Sequence, residues 1–401
     1  MSVADQTALD AYLKKVYVTG VPQNLAMRKK VALSWMDRKD DLYGKSLTIP
    51  LMHANIAGRS ATITNLVDAG SQTGATQQVA FEITAASDYA GFGIDAKTMM
   101  SMKKDVGAFA EARKMQVDSG LDEIAKSLEI GLWGSGSGSL GRRLSASTNV
   151  ITLYNARDVR NFYKGQWINA SATETGGAVR AGAGTTVASV DQDAGTVTLA
   201  SAAGITSFTD GDYLYTAGDY DLKVKGFSAW IPLTTPSATT FFGVDRTQNV
   251  QALSGHRLAA SSNTIEEQIM QLCERIVDFG GSPDTCFLSH TNFNTVSKSL
   301  GSKIEYSDGG GTATMGFEGI RIATSAGILK VSPAPYCPDD RGYVLQKDTW
   351  KLHTLGEVPH IVQDDGLMVR AARTTDGVEG RIRYYCQPAC NAPGWNGVFG
   401  I

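Results

Sequence analysis

In the stretch Leu132–Gly141, LWGSGSGSLG, the residues Gly136, Gly138 and Gly141 take the G-x-G-x-x-G spacing of a loop that cradles phosphates. That spacing carries chemistry only between a buried strand and a helix, where the helix N-terminus meets a pyrophosphate. The text before it is helical instead. From Val106 onward, Phe109, Ala110, Val117, Leu121, Ile124, Leu128 and Leu132 recur mostly three or four residues apart. Asp122 and Lys126 are spaced for an i,i+4 pair on the opposite face. No acidic residue stands at the distance a ribose contact requires. The glycines therefore mark the stop of a helix of roughly 40 Å, followed by a hinge over residues 134–148. Gly107 and Gly120 predict a bend or a close contact within that helix.

The other residues able to do chemistry are scattered. His53, His256, His290, His353 and His360 form no H-E-x-x-H, and none shares metal-ligand spacing with a cysteine. Cys386 and Cys390 flank Pro388 without a second pair, and Gly44-Lys45-Ser46 ends like a P-loop but has Lys39 where a glycine is required. No G-x-S-x-G elbow occurs, and Asp191, Asp193 and Gly195 read as a β-turn rather than a calcium loop, because the later acidic ligand is missing. Carboxylates are plentiful, so a pair for glycoside hydrolysis stays open at this point. The sequence names no catalytic, cofactor-binding or metal-ligating residue, and it implies no cofactor.

The bulk properties set the frame for these negatives. The chain has 401 residues, 42% of them hydrophobic, enough for two or three domains with real cores. A formal net charge of −3 does not describe a basic nucleic-acid binder as a whole. The start, MSVADQTALD, has no basic-then-apolar signal, and no apolar run approaches 18 residues, so no membrane partner is expected. Five cysteines at irregular spacing predict buried thiols in a reducing compartment. With 43 glycines and only 19% charged residues, much surface is expected to lie against other chains.

Residues 1–40 hold two short helical patterns, Leu9–Val16 and Leu25–Trp35, separated by Pro22. Seven bases against four acids give this part a local charge of +3. Lys14, Lys15, Arg28, Lys29 and Lys30 are the candidates to face nucleic acid or a neighbouring chain, the alternative being a solvated helix face. Leu47, Ile49 and Leu51 alternate with polar residues, as do Val79, Phe81 and Ile83, and predict a hairpin with a very long tip. Across Leu47 to Ile94 the only charged side chains are Arg59, Asp68, Glu82 and Asp88. A segment so long and so poor in charge suits an arm lying on another subunit. Residues 150–230 carry short β-branched and aromatic runs bounded by Gly and Asp, the text of a small β-domain.

From Asn263, which makes a capping box with Glu266, the pattern is mixed: a helix through Ile265, Ile269, Leu272 and Ile276, a buried strand TCFLS, a helix with Phe293 and Val296, then GIRIAT, ILKVS and GYVLQ. At the end, Leu367–Arg373 and Val378–Cys386 read as a hairpin with Asp376-Gly377 as its two-residue loop. Counting back from that loop pairs Thr374 with Glu379, Ala372 with Arg381 and Arg370 with Arg383. Two arginines directly opposite, beside Arg381, call for an anion. Ile382, Tyr384 and Cys386 then share the other face, which is expected to cover the long helix.

This order of parts, together with the text MGFEGIRIATSAGILKVSPAPYCPDDRGYVLQKDTWKLHTLGE, resembles the major capsid protein family of tailed bacteriophages. The resemblance implies an α+β chain of the Hong Kong 97-type capsid fold. Residues 1–42 would be the N-terminal arm and 43–98 the extended loop hairpin. Residues 99–133 and 357–401 would form the peripheral domain with its spine helix, and 134–149 with 231–356 the axial domain. Residues 150–230 would be an inserted small β-domain, absent from the minimal family pattern. It further implies a non-enzymatic virion protein, assembled in the host cytoplasm. Pentamers and hexamers would build an icosahedral shell around double-stranded DNA contacted non-specifically. A separate scaffold protein, a portal and cement proteins are the implied partners, and the mature subunit is expected to begin at or near Met1. Candidate subunit contacts are Arg370, Arg381, Arg383, Arg59, Asp68 and Glu82. The rival readings are an encapsulin-like compartment, a β-rich phage tail or adhesion protein, and a carbohydrate-acting enzyme.

Overall fold

The computed structural model describes residues 30–55, 61–64, 76–95, 106–180, 185–201, 207–300, 320–363, 370–372 and 376–401. Its elements, in chain order, begin with α1 (Val31–Trp35), β1 (Asp37–Asp40), β2 (Leu47–Ala54), β3 (Gln77–Ile83), β4 (Ala86–Asp95) and the spine helix α2 (Val106–Trp133). Six strands follow: β5 (Ser139–Ser147), β6 (Val150–Leu153), β7 (Trp167–Ser171), β8 (Thr185–Asp191), β9 (Thr196–Leu199) and β10 (Tyr213–Thr216). Next come α3 (Phe227–Trp230), α4 (Val250–Ser254), β11 (His256–Leu258), α5 (Ile265–Asp278), β12 (Thr285–Leu288) and α6 (His290–Leu300). The chain closes with β13 (Ile320–Thr324), β14 (Gly327–Pro333), β15 (Arg341–Leu345), β16 (Trp350–Thr354), β17 (His360–Ile361), β18 (Arg370–Ala371), β19 (Gly377–Cys390) and β20 (Gly397–Gly400).

The alternating apolar text of the extended hairpin pairs as its spacing dictates: Leu47 lies opposite Ile83, Ile49 opposite Phe81 and Leu51 opposite Val79. These six side chains turn toward the chain's own core, where Phe81 and Ile83 are fully buried and Phe81 packs against Trp230 and Phe241. The spine helix runs 28 residues, about 42 Å at 1.5 Å per residue. It rests beneath a sheet ordered β1-β16-β19, with β17, β18 and β4 also paired to β19. The close contact expected at Gly120 is present, since a Cβ there would stand 2.7 Å from Cδ1 of Ile382 on β19.

A second sheet, ordered β11-β20-β15-β12-β14-β13, carries α5 and α6 over a core of Ile269, Leu272, Ile276, Val296, Leu329 and Val344. Where the spine helix ends, Trp133, Phe227, Phe287, Tyr343 and Trp350 pack edge to face or tilted and join the two sheets into one core.

Several boundaries differ from the sequence reading. Residues 139–147 are not hinge but β5, the first strand of a closed barrel ordered β10-β5-β6-β9-β8-β7. Its text hides the alternation because an inward position holds Arg143, whose guanidinium meets Asp210 and the Phe208 carbonyl. The turn itself is made by Gly136 and Gly138 at positive φ. β16, expected in the axial part, pairs with β19, whereas β20, expected among the closing peripheral strands, joins the second sheet. β4 lies in the peripheral sheet rather than the extended loop. The capping box of α5 is Thr264 with Glu267, because Thr264 is the last extended residue before the helix. Asp122 and Lys126 do not pair with each other: Lys126 lies by Glu123 and over the Tyr163 ring.

Candidate assembly surfaces

The closing strand β19 presents two unlike faces. Ile382, Tyr384 and Cys386 are buried toward the spine helix, while Arg381, Arg383 and Tyr385 point away. The expected opposition of Arg370 and Arg383 is not formed. Arg370 stands opposite Glu379, with Ala372 N–H donating to the Gly377 carbonyl, so the connection is longer than two residues. Arg383 stands between His360 of β17 and Tyr89 of β4, which occupy the flanks that a two-residue hairpin would have filled. Its Nε donates to His360 Nε2 at 3.1 Å while His360 Nδ1 faces the Glu357 carbonyl at 2.8 Å. Arg381 pairs with Glu379 at 2.9 Å. Arg381 thus meets an acid of its own strand, whereas the opposed arginine pair that called for an anion is not formed. The Tyr89 and Tyr385 hydroxyls meet at 3.0 Å on the same outer face.

Of the other predicted contacts, Glu82 is exposed on β3, where its backbone N–H donates to the Phe242 carbonyl. Arg59, Asp68, Lys14, Lys15, Arg28 and Lys29 lie outside the described residues. Lys30, expected to face nucleic acid or a neighbour, instead pairs with Asp122 of its own spine helix.

Beside it sits a residue the sequence does not single out. Glu129 is fully buried, and its carboxylate accepts the N–H groups of Ala32 and Leu33 and the Trp133 indole N–H, each at 2.9 Å. Burial raises its pKa, and the backbone donors oppose that shift. A second fastening follows at the root of the hairpin. His353 Nδ1 lies 2.5 Å from Asp41, which also pairs with Lys39 at 2.8 Å. Burial pushes the Asp41 carboxyl up, but its bonds from Lys39 and His353 outweigh this and hold it below the usual range.

Between spine helix, barrel and axial sheet lies a cleft of about 1070 Å³. At its peripheral end Lys223, nearly buried, reaches Asp88 at 2.6 Å, Asp219 at 3.0 Å and Ser127 at 3.1 Å. One ammonium thus ties the segment after the barrel to β4 and to the spine helix. Burial raises the pKa of Asp219, with Lys223 opposing. At the axial end Arg157 pairs with Asp339 at 3.2 Å and also meets Thr291. Asp158 beside it is pushed up to about 6 by burial, against the pull of Arg160 and with Asp339 and Asp340 adding to the rise. The turn at Asp191 is held by its own carboxylate, which accepts from Asp193 and Ala194 N–H, as the β-turn reading requires. Among the described residues no cluster of His, Cys, Asp and Glu could hold a metal ion. The five cysteines are buried free thiols.

A spine helix under a sheet, an axial α/β sheet joined to it by one aromatic core and a separate hairpin make up the fold, and comparison with known proteins specifies its class. A family model described as SU10 major capsid protein matches residues 206–381. Among solved structures, the cyanophage A-1(L) capsid asymmetric unit aligns over 97% of both chains, with a TM-score of 0.57 and 10% identity. The holo-SrpI encapsulin complex from Synechococcus elongatus PCC 7942 aligns over 100% of this chain and 96% of that one, at a TM-score of 0.49 and 6% identity. No curated protein matches by sequence. The fold is the Hong Kong 97-type capsid fold. Over residues 206–381, less than half of its length, the chain is similar to the SU10 major capsid protein family.

Proposed function

We propose that many copies of this chain close, as pentamers and hexamers, into an icosahedral shell around double-stranded DNA. Assembly would take place in the host cytoplasm with a separate scaffold protein and a portal, and cement proteins would add to the finished shell. The observation that carries this reading is the separation of the hairpin from both main sheets. β2 and β3 pair only with each other among the described residues: their apolar face closes over the core through Phe81 and Ile83, while the pair joins neither main sheet and leaves its own strand edges to a neighbour. Arms of this kind are what closed assembly from one chain requires. The barrel β5–β10, with its own core of Ile151, Ile168, Val197, Leu199 and Leu214, is read as an inserted domain adding surface contacts.

Negative-stain microscopy of the expressed chain tests the proposal. Shells, tubes or isolated capsomers are expected, and a lone soluble particle with hydrolytic activity would overturn it. Shells from infected cells that enclose a protein cargo in place of DNA would establish the encapsulin-like alternative.

A further inference from the structure

β16 alternates across its sheet: Trp350 and Leu352 enter the aromatic core, while Lys351 and His353 take the other face. β1 runs parallel beside it with Lys39 in register with His353, so both lysines and the histidine share that face. The hairpin root, Leu47 to Pro50, adjoins them, and with Asp41 and Asn391 these residues line a pocket of about 350 Å³.

The lining is unevenly charged. Asp41 is its one carboxylate among the described residues, already shared by Lys39 at 2.8 Å and His353 Nδ1 at 2.5 Å. Asp37, opposite Lys351 in register, turns to Lys347 at 3.5 Å. Lys351, half-buried, is left without a hydrogen bond or ion pair from its ammonium among the described residues. With Nδ1 held by Asp41, the second ring nitrogen is the one His353 has to offer. His353 is only 4% exposed, and its Nε2 is buried with no partner among the described residues. A buried polar atom so placed calls for a group from outside the chain.

The donors define that group. Ammonium groups come from β1 and β16, an imidazole from β16, an amide from Asn391 and a hydroxyl from Thr48 on the hairpin root. A tetrahedral anion has an oxygen for donors arriving from several segments, where a planar carboxylate leaves part of such a set unmet.

We propose that the pocket between β1, β16 and the hairpin root binds a phosphate group, held by the Lys39 and Lys351 ammonium groups and by His353 Nε2. His353 donates as imidazolium, with its other N–H kept on Asp41, which balances the charge of the ring. Free phosphate and the phosphodiester of a nucleic acid offer the same oxygens, and the test separates them. The site belongs to the single chain and does not depend on the shell reading.

The test follows the full chain, isotope-labelled at its histidine nitrogens, by NMR during titration with inorganic phosphate at an ionic strength held constant with sodium chloride. The His353 signal should move saturably. Lys351→Met should weaken the affinity about tenfold or more, the size of one charge-assisted bond. A DNA duplex without terminal phosphates that moves the same signal identifies the phosphodiester as the source, and a duplex that does not move it identifies the free ion. The signal is the one lost in His353→Gln or, should that variant not fold, the one retained when each of the other four histidines is replaced in turn. A signal that phosphate leaves unmoved, an equal response to chloride, or an affinity unchanged in Lys351→Met overturns the proposal.

Discussion

Glu129 and Ala32 are 97 positions apart, and the carboxylate of one caps the backbone N–H of the other at 2.9 Å. Through this bond and its twin to Leu33, the spine helix fixes where the N-terminal arm leaves the body. The carboxylate serves three donors at once, which an amide cannot do, because only one of its two heavy atoms accepts. Glu129→Gln should therefore lose about 1–3 kcal/mol of unfolding free energy by chemical denaturation. It should also speed proteolysis N-terminal to Val31. Wild-type stability and cleavage in that variant would show that water replaces the carboxylate freely.

Lys223 gives the clearest case of a group worth more by its absence than by its presence. Removing the ammonium leaves Asp88 and Asp219 close together and largely buried without their cation. Lys223→Met keeps the volume and should cost about 3–5 kcal/mol. Adding Asp88→Asn should restore part of that loss, since the amide can still accept from Ser127 and Tyr384. A double variant no better than the single one would mean that the packing of the lysine stem, rather than its charge, is what matters.

These two residues also show what the sequence can and cannot disclose. The spine helix, the hairpin register and the second helix-bearing sheet are legible because each repeats an apolar pattern at one period. Glu129 breaks no pattern: it sits beside Leu128 on the helix flank, and only the folded arm reveals its donors. Lys223 gathers partners from three segments that no local spacing relates. The closing hairpin misleads for a similar reason. Its local turn signal is sound, but β4 and β17 compete for β19 from elsewhere in the chain and set the register. The basic residues of the arm are recognisable by composition in only one respect, their excess over the acids around them. Composition does not say where a side chain turns, and Lys30 turns inward.

Two glycines should respond very differently to one methyl group. A Cβ on Gly226 would lie 2.0 Å from the Leu132 carbonyl oxygen, backbone at the end of the spine helix that cannot rotate aside. On Gly120 it would lie 2.7 Å from the tip of Ile382, which can change rotamer, and alanine gains about 1 kcal/mol of helix propensity there. Gly226→Ala should thus lose about 3 kcal/mol or more, with a steep fall in Tm. Gly120→Ala should stay within about 1 kcal/mol of wild type by the same scan. Equal effects would refute the distinction between rigid and yielding neighbours.

Between Leu47 and Ala96 the chain has no lysine, so the extended hairpin cannot supply an amine for an isopeptide bond to a neighbour. With no amine to give, this arm is expected to bind its neighbours non-covalently. Boiled shells on a denaturing gel should give a monomer near 42.7 kDa. A ladder of multimers would require a lysine outside the hairpin to be the donor.

Stability should carry two pH dependences of opposite sign. His256 has its pKa lowered by burial and by Arg275 and Arg257, and its ring packs on Phe279. A depressed histidine contributes stability that is complete above the unfolded value of about 6.5 and is lost as pH falls below it. His256→Phe should remove that acid-side loss while keeping the ring contact. Asp158 works the other way. Its folded value of about 6 exceeds the ordinary 3.8, so the protonated form is favoured by folding, and stability is lost as pH rises from about 4 through 6. A rise of that size corresponds to about 3 kcal/mol at most, and partial solvent access reduces this to about 1–2 kcal/mol. Asp158→Asn should therefore flatten that part of the profile and raise stability at pH 7. Urea denaturation of the unassembled chain at about pH 4.5, 5.5 and 7 measures both effects. If Asp158→Asn instead destabilised the chain most at pH 7, the charged carboxylate would be holding Arg160 in place, and the sign assigned here would be wrong.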